Sequence, residues 1–157
     1  MDEVKPREIF ETPEGDLVID FGQNMSALIQ VTATGKKGDV IRLDCFEVLD
    51  SKGNVYLDNL RGAKESLQYT FGEDGTITYR PSFTFMGFRY AKIVSFPGTP
   101  ELGNFIAHAI HTNMERTGFL ETSNPDLNQL AHNILWGLKS NFVDVPTDCP
   151  QRDERLG

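Results

Sequence analysis

Sulfur and imidazole are scarce in this chain, which carries 2 cysteines and 3 histidines among 157 residues. Cys45 falls in an apolar, strand-like run and Cys149 in a polar loop near the end, a poor pairing for a disulfide, so two thiols are expected. His108, His111 and His132 have neither the spacing nor the cysteine neighbours of a zinc site, and His108 and His111 point to opposite faces if they share a strand. No D-x-[DN]-x-[DN]-G loop is present either. No metal or cofactor is expected. Positive charge is also short: 15 Lys and Arg face 23 Asp and Glu, for a net charge of -8. That balance argues against nucleic acid as a partner, because binding phosphates requires clustered cations. No apolar run approaches the roughly 20 residues that cross a bilayer, and no membrane partner is expected. The start, Met1-Asp2-Glu3-Val4-Lys5-Pro6, lacks a signal peptide's apolar segment. Localisation stays open between the cytoplasm and, should a native start lie upstream, the periplasm or beyond.

What is present is enough for a core: 39% of the residues are hydrophobic, and the length suits one domain or one domain with an appendage. Up to about residue 115, short runs rich in Val, Ile, Thr, Phe and Tyr alternate with turn signals such as Glu14-Gly15-Asp16, Gly35-Lys36-Lys37-Gly38-Asp39 and Gly72-Glu73-Asp74-Gly75. In Ala27–Ala33 the odd positions are apolar, and Ile41, Leu43 and Cys45 alternate with Arg42 and Asp44, the period of two of a strand with one face on a core. Further strands are expected at Leu17–Phe21, Gln68–Phe71, Ile77–Arg80, Phe88–Phe96, Phe105–Thr112 and Gly118–Glu121. Eight or more short strands with little helix point to a mainly β chain, an antiparallel, jelly-roll-like β-sandwich.

Past Thr122 the period changes. Asn124 can cap, Pro125 suits the first helical position, Asp126 complements the dipole, and Leu127, Leu130, Ala131, Ile134 and Leu138 fall on one stripe. A helix over about Pro125–Ser140 follows. Trp136 lies on the opposite side of that wheel, so the helix has two apolar faces and a sandwich can cover only one. Either Trp136 packs into a local loop or it meets a domain beyond this chain.

The end of the chain, Asp148-Cys149-Pro150-Gln151-Arg152-Asp153-Glu154-Arg155, crowds three carboxylates and two guanidinium groups together. Glycosidic cleavage needs one carboxylic acid to protonate the leaving oxygen and a second carboxylate to activate water or attack, and Asp148, Asp153 and Glu154 are candidates. Crowded carboxylates raise the pKa of the most buried one, while Arg152 and Arg155 push the other way. On composition alone the same residues also describe a solvated, charged chain end.

Two long segments carry a resemblance. Thr117-Gly118-Phe119-Leu120-Glu121-Thr122-Ser123-Asn124-Pro125-Asp126-Leu127-Asn128 and the run from Asn141 through Pro146-Thr147-Asp148-Cys149-Pro150-Gln151-Arg152-Asp153-Glu154-Arg155 closely resemble bacterial α-L-rhamnosidases, a large inverting glycoside hydrolase family. Upstream, Asp20-Phe21-Gly22-Gln23-Asn24, Glu47-Val48-Leu49, Asn59-Leu60-Arg61 with Ala63, and Pro81-Ser82-Phe83-Thr84-Phe85-Met86-Gly87-Phe88-Arg89-Tyr90 look like that family's concanavalin-like β-sandwich. The resemblance implies that Glu154 is the general acid and that Asp148 and Arg152, with Asp153 as a weaker candidate, contact rhamnose. It implies substrates that are rhamnose-containing glycosides or polysaccharides. It further implies a sandwich over residues 1–115 and, over 116–157, a connecting strand, a helix and the first catalytic loop of an α/α-toroid. The rest of that barrel, with the general base, would lie outside this chain and be its structural partner. The chain alone is then expected to be inactive. One departure stands out: relatives often carry Asp two residues before the tyrosine of the Arg-x-Ala segment, where this chain has Leu67 before Gln68-Tyr69.

Two other readings remain open. Jelly rolls often serve as carbohydrate-binding modules, and Phe83, Phe85, Phe88 and Tyr90 form a dense aromatic run, although strand spacing suits them equally to a core or a bend near Met86-Gly87. The sandwich is otherwise a scaffold that delivers the helix and loop, with Asp20–Asn24 and Asn59–Arg61 as turn or interdomain hydrogen-bonding residues.

Overall fold

The computed structural model describes residues 2–151. In chain order the strands are β1 (Asp2–Val4), β2 (Glu8–Glu11), β3 (Leu17–Gly35), β4 (Val40–Phe46), β5 (Ser66–Thr70), β6 (Gly75–Tyr79), β7 (Met86–Ser95) and β8 (Phe105–Ala109). The helix α1 (Pro125–Ser140) and a small hairpin of β9 (Phe142–Val143) and β10 (Val145–Pro146) complete the described chain. All pairings are antiparallel, in the order β1-β8-β3-β7-β4-β5, with β2 and β6 also on β3. The sandwich expected from the strand pattern is therefore made by one sheet that curls over its own core.

The 19-residue strand β3 explains how. Its first half pairs with β2 and β7, and its second half with β8 and then β6. Between them the register with β7 shifts from Asp20 to Met25, and Gly22 sits at φ 73°, a backbone region that L side chains enter only at a cost. The bend lets the inner faces of both halves share one core: Ile19, Ile29 and Val31 meet Ile41, Leu43, Leu67, Phe88 and Phe105. Phe21 packs edge-on against Phe88 with ring centroids 5.4 Å apart. Val18, Phe46 and Tyr90 form a second small core on the opposite face, with Leu49 and Val55 beside them.

The period-two readings hold at side-chain level. Ala27, Ile29, Val31 and Ala33 are buried, while Thr32 and Thr34 face out and pair with Thr78 and Thr76 of β6 at 2.9 and 2.6 Å. Leu67, the departure from the family pattern, is a core residue opposite Leu43. An Asp there would be a buried charge in an apolar cluster.

The helix matches its expected limits, and the Asn124 side chain accepts the Asp126 N–H at 2.9 Å as an N-cap. Its orientation corrects the expectation. Trp136 packs against the sheet core, whereas the leucine stripe is open: Ile134 is 63% exposed, and Leu127, Leu130 and Leu138 are exposed as well. The last turn on the Trp136 side ends at the small, buried Ser140, and there the Ser26 hydroxyl donates to the Ser140 carbonyl at 2.7 Å and holds the helix close to β3. Bulky leucines on that side would hold the backbones apart.

Gly118–Glu121 is not a strand. It belongs to an irregular stretch from Ile110 to Ser123 that bonds to strands only near its start, through Ile110 to Ser26 and Thr112 to Phe142, and its Phe119 and Leu120 are exposed. Together with the leucine side of α1 it frames an open trough of about 750 Å³. The aromatic run divides: Phe88 and Tyr90 are buried in the two cores, while Phe83 is fully exposed and Phe85 half-exposed in the loop before β7. Cys45 and Cys149 are not bonded to each other.

Candidate functional site

After α1 the backbone turns back toward the sheet. Asp144 takes φ 69° at the tip of the β9–β10 hairpin, and its N–H donates to the Thr112 hydroxyl at 2.8 Å. Thr112 donates its own N–H to the Phe142 carbonyl, and Thr147 donates to Asn141, at 2.8 and 2.9 Å. These bonds lead the chain to Asp148, which is exposed and accepts a long contact of 3.5 Å from the Cys149 thiol. Gln151 is buried, and its side-chain oxygen has no hydrogen-bond partner among the described residues. Arg152, Asp153 and Glu154 lie outside the described residues. Of the four site residues expected from sequence, Asp148 alone has a described position.

The upstream motifs converge beside this loop. Asp20 accepts two bonds from Arg89, at 2.9 and 2.7 Å, and one from the Gly22 N–H at 2.5 Å. Burial opposes its charge, but the Arg89 and Gly22 bonds and the nearby charges of Arg89 and Arg7 outweigh that, and its pKa falls below the usual carboxylate value. Glu47 collects the other two motifs, accepting from Asn24 at 2.8 Å and from Asn59 at 3.0 Å. Asp20–Asn24 and Asn59–Arg61 thus hold strands and loops of the sandwich to one another. Where Gly22, Gln23 and Asn24 meet α1, a polar groove of about 510 Å³ is lined also by Arg7, Glu47, Arg89 and His132. A neighbouring hollow of about 260 Å³ runs from Gln23 and Asn24 past Trp136 to Pro150.

Sequence reasoning missed Glu65. It leaves the Arg61-Gly62-Ala63 segment just before β5, accepts the Gly87 N–H at 3.0 Å, and is half-buried beside Glu47. Burial, and secondarily the charge of Glu47, push its pKa up to about 8, with the Gly87 bond acting the other way. The Cys45 thiol is raised by its own burial and by the charges of Glu65 and Asp44. A carboxyl with a raised folded pKa stabilises the fold fully below its unfolded value near 4.5, and that contribution is lost as pH climbs toward 8. Melting curves should therefore show a decline of about 2 kcal/mol between those limits, after discounting for partial exposure, that Glu65→Gln removes. An identical pH slope in the variant would refute the assignment.

Residues 10–111 match the bacterial alpha-L-rhamnosidase concanavalin-like domain, and residues 115–157 the bacterial alpha-L-rhamnosidase 6 hairpin glycosidase domain. An alpha-L-rhamnosidase of Streptomyces avermitilis is 43% identical over 155 residues, covering 99% of this chain and 15% of that protein. One from Alteromonas sp. (strain LOR) is 38% identical, covering 100% and 17%. The crystal structure of the Streptomyces avermitilis enzyme complexed with L-rhamnose superposes with a TM-score of 0.93 at 42% identity, over 100% of this chain and 15% of that one. The native Aspergillus terreus enzyme gives a TM-score of 0.93 at 42% identity, over 100% and 18%. The chain thus spans 15–17% of the length of the curated relatives it matches.

Proposed function

The chain belongs to the bacterial α-L-rhamnosidase family, and from that premise we propose that it serves an enzyme removing terminal α-L-rhamnosyl groups by inversion. In this reading residues 1–115 are a scaffold and residues 116–157 open the catalytic domain. Glu154 protonates the glycosidic oxygen as the bond to the anomeric carbon breaks. Asp148 and Arg152 hold the sugar hydroxyls, with Asp153 beside them. A base from elsewhere in the enzyme takes a proton from the water that attacks the opposite face, which requires a carboxyl separation of roughly 6.5–9.5 Å.

The observation that carries the reading is the placement of the loop: the sheet and α1 bring the chain back across the sandwich, to a buried Gln151 three residues before Glu154. The open leucine stripe of α1 supports the scaffold role, because an apolar helix face on the outside of a sandwich calls for a further layer of helix. The relatives, several times longer than this chain, have the chain length to supply one.

The test is hydrolysis of aryl and disaccharide α-L-rhamnosides by the full-length protein that carries this chain. Turnover with inverted product stereochemistry is expected. A protein that cleaves no rhamnoside would remove the reading. One observation favours a second function, sugar binding by the sandwich: Phe83 is 103% exposed with Phe85 near it. Titration with rhamnose at millimolar concentration, followed by NMR, decides it, and unmoved Phe83 and Phe85 signals would eliminate a platform there.

A further inference from the structure

Gly87 is the second residue of β7, and its φ lies outside the left-handed region. Its lack of a side chain therefore answers a need for space. A Cβ built there would overlap the carbonyl group of Pro150 and the amide nitrogen of Gln151. The terminal loop lies directly on this backbone. The other end of the same loop is held one strand away. Ser26 is the register partner of Gly87 across β3 and β7, and its hydroxyl donates to the carbonyl of Ser140, the last residue of α1. Two adjacent residues of the sheet thus grip the chain where it leaves the helix and where it approaches Glu154. Glu65 supports the grip from beneath by accepting the Gly87 N–H.

We infer that Ser26, Gly87 and Glu65 are positioning residues that clamp both ends of the loop over 141–151 and thereby aim the acid that follows it. None of the three touches substrate in this scheme. The inference rests on the reading of Glu154 as the acid, because a clamp matters to turnover only if the clamped loop delivers a reacting group. The Ser26–Ser140 bond is buried, so water does not replace it freely. The Gly87 contact is steric, so any side chain there must move the loop, and displacements near 1 Å in a reacting group cost about a hundredfold in rate.

The test uses the full-length protein with Gly87→Ala, Ser26→Ala, Glu65→Leu, Glu65→Gln and Glu154→Gln. The Thr147 and Gln151 amides should exchange with solvent at least about tenfold faster in Gly87→Ala and Ser26→Ala than in the wild type. In the same variants kcat on a disaccharide rhamnoside should fall at least about tenfold while KM stays within about threefold. Glu65→Leu should behave likewise, and Glu65→Gln, whose amide oxygen still accepts the Gly87 N–H, should match the wild type. Ser26→Ala adds no bulk, so it keeps the test decisive should Gly87→Ala misfold. Unchanged loop exchange in Ser26→Ala overturns the clamp whatever Glu154 does. Faster exchange with undiminished kcat, in a protein that Glu154→Gln inactivates, overturns the aiming role. A Glu154→Gln variant with full activity instead overturns the acid assignment, and the exchange data then decide the clamp alone.

Discussion

Replacing Glu154 by Gln in the full-length protein should lower kcat on a disaccharide α-L-rhamnoside by about a thousandfold, within the range that general-acid catalysis supplies. An aryl rhamnoside with an acidic phenol as leaving group should lose much less, about tenfold or under, because its oxygen departs as an anion with little protonation. The difference between the two substrates is the diagnostic quantity. A residue that only shaped the pocket would reduce both alike. The alkaline limb of the kcat/KM profile should also disappear, since glutamine has no proton to lose as pH rises. Equal losses on both substrates would take the proton-donor role away from Glu154 and move attention to Asp153. The 157-residue chain alone should hydrolyse neither substrate, because an acid without its base cannot complete an inverting displacement. Activity of the isolated chain that Glu154→Gln abolishes would contradict the requirement for a distant base.

Trp136→Ala should destabilise this chain by about 3 kcal/mol, at the lower end of the range for truncating a large aromatic because Trp136 is half-buried. The side chain joins α1 to the sheet core, and no other large apolar residue of the helix packs there. Ile134→Ala, on the open stripe, should cost within about 0.5 kcal/mol of nothing in the same chain. Urea melts of the two variants measure the contrast. In the full-length protein Ile134→Ala should become costly, about 2 kcal/mol or more, if further helices cover the stripe as proposed. Equal, small effects of Ile134→Ala in both contexts would argue that nothing packs on that face. Together the variants separate what anchors the helix to the sandwich from what the helix offers to the rest of the full-length protein.

The sequence by itself determined the local choices, because these follow from short-range periodicity and stereochemistry. The alternation in Ala27–Ala33 and Ile41–Cys45 specified buried and exposed faces, and Asn124-Pro125-Asp126 specified where α1 begins. For the terminal run, residue types alone fitted a solvated chain end as well as paired carboxylates, and it was the long contiguous likeness of Asp148 through Arg155 to a family pattern that suggested sugar chemistry.

Tertiary structure alone decided which apolar face of α1 meets the sheet. A helical wheel ranks faces by hydrophobicity, whereas docking depends on how closely two backbones can approach, and the buried Ser26–Ser140 contact with Trp136 in the core settled that in favour of the Trp136 side. The curling of one sheet into a sandwich was likewise invisible locally, because it rests on a bend at Gly22 whose effect depends on partners far along the chain. Gly87, Ser26 and Glu65 are distant from one another and from Pro150 in sequence, and their windows show no more than a bend near Met86-Gly87. They become a seat for the terminal loop only when strand pairing places Ser26 opposite Gly87 and the loop folds back over them, a long-range contact that no local pattern encodes.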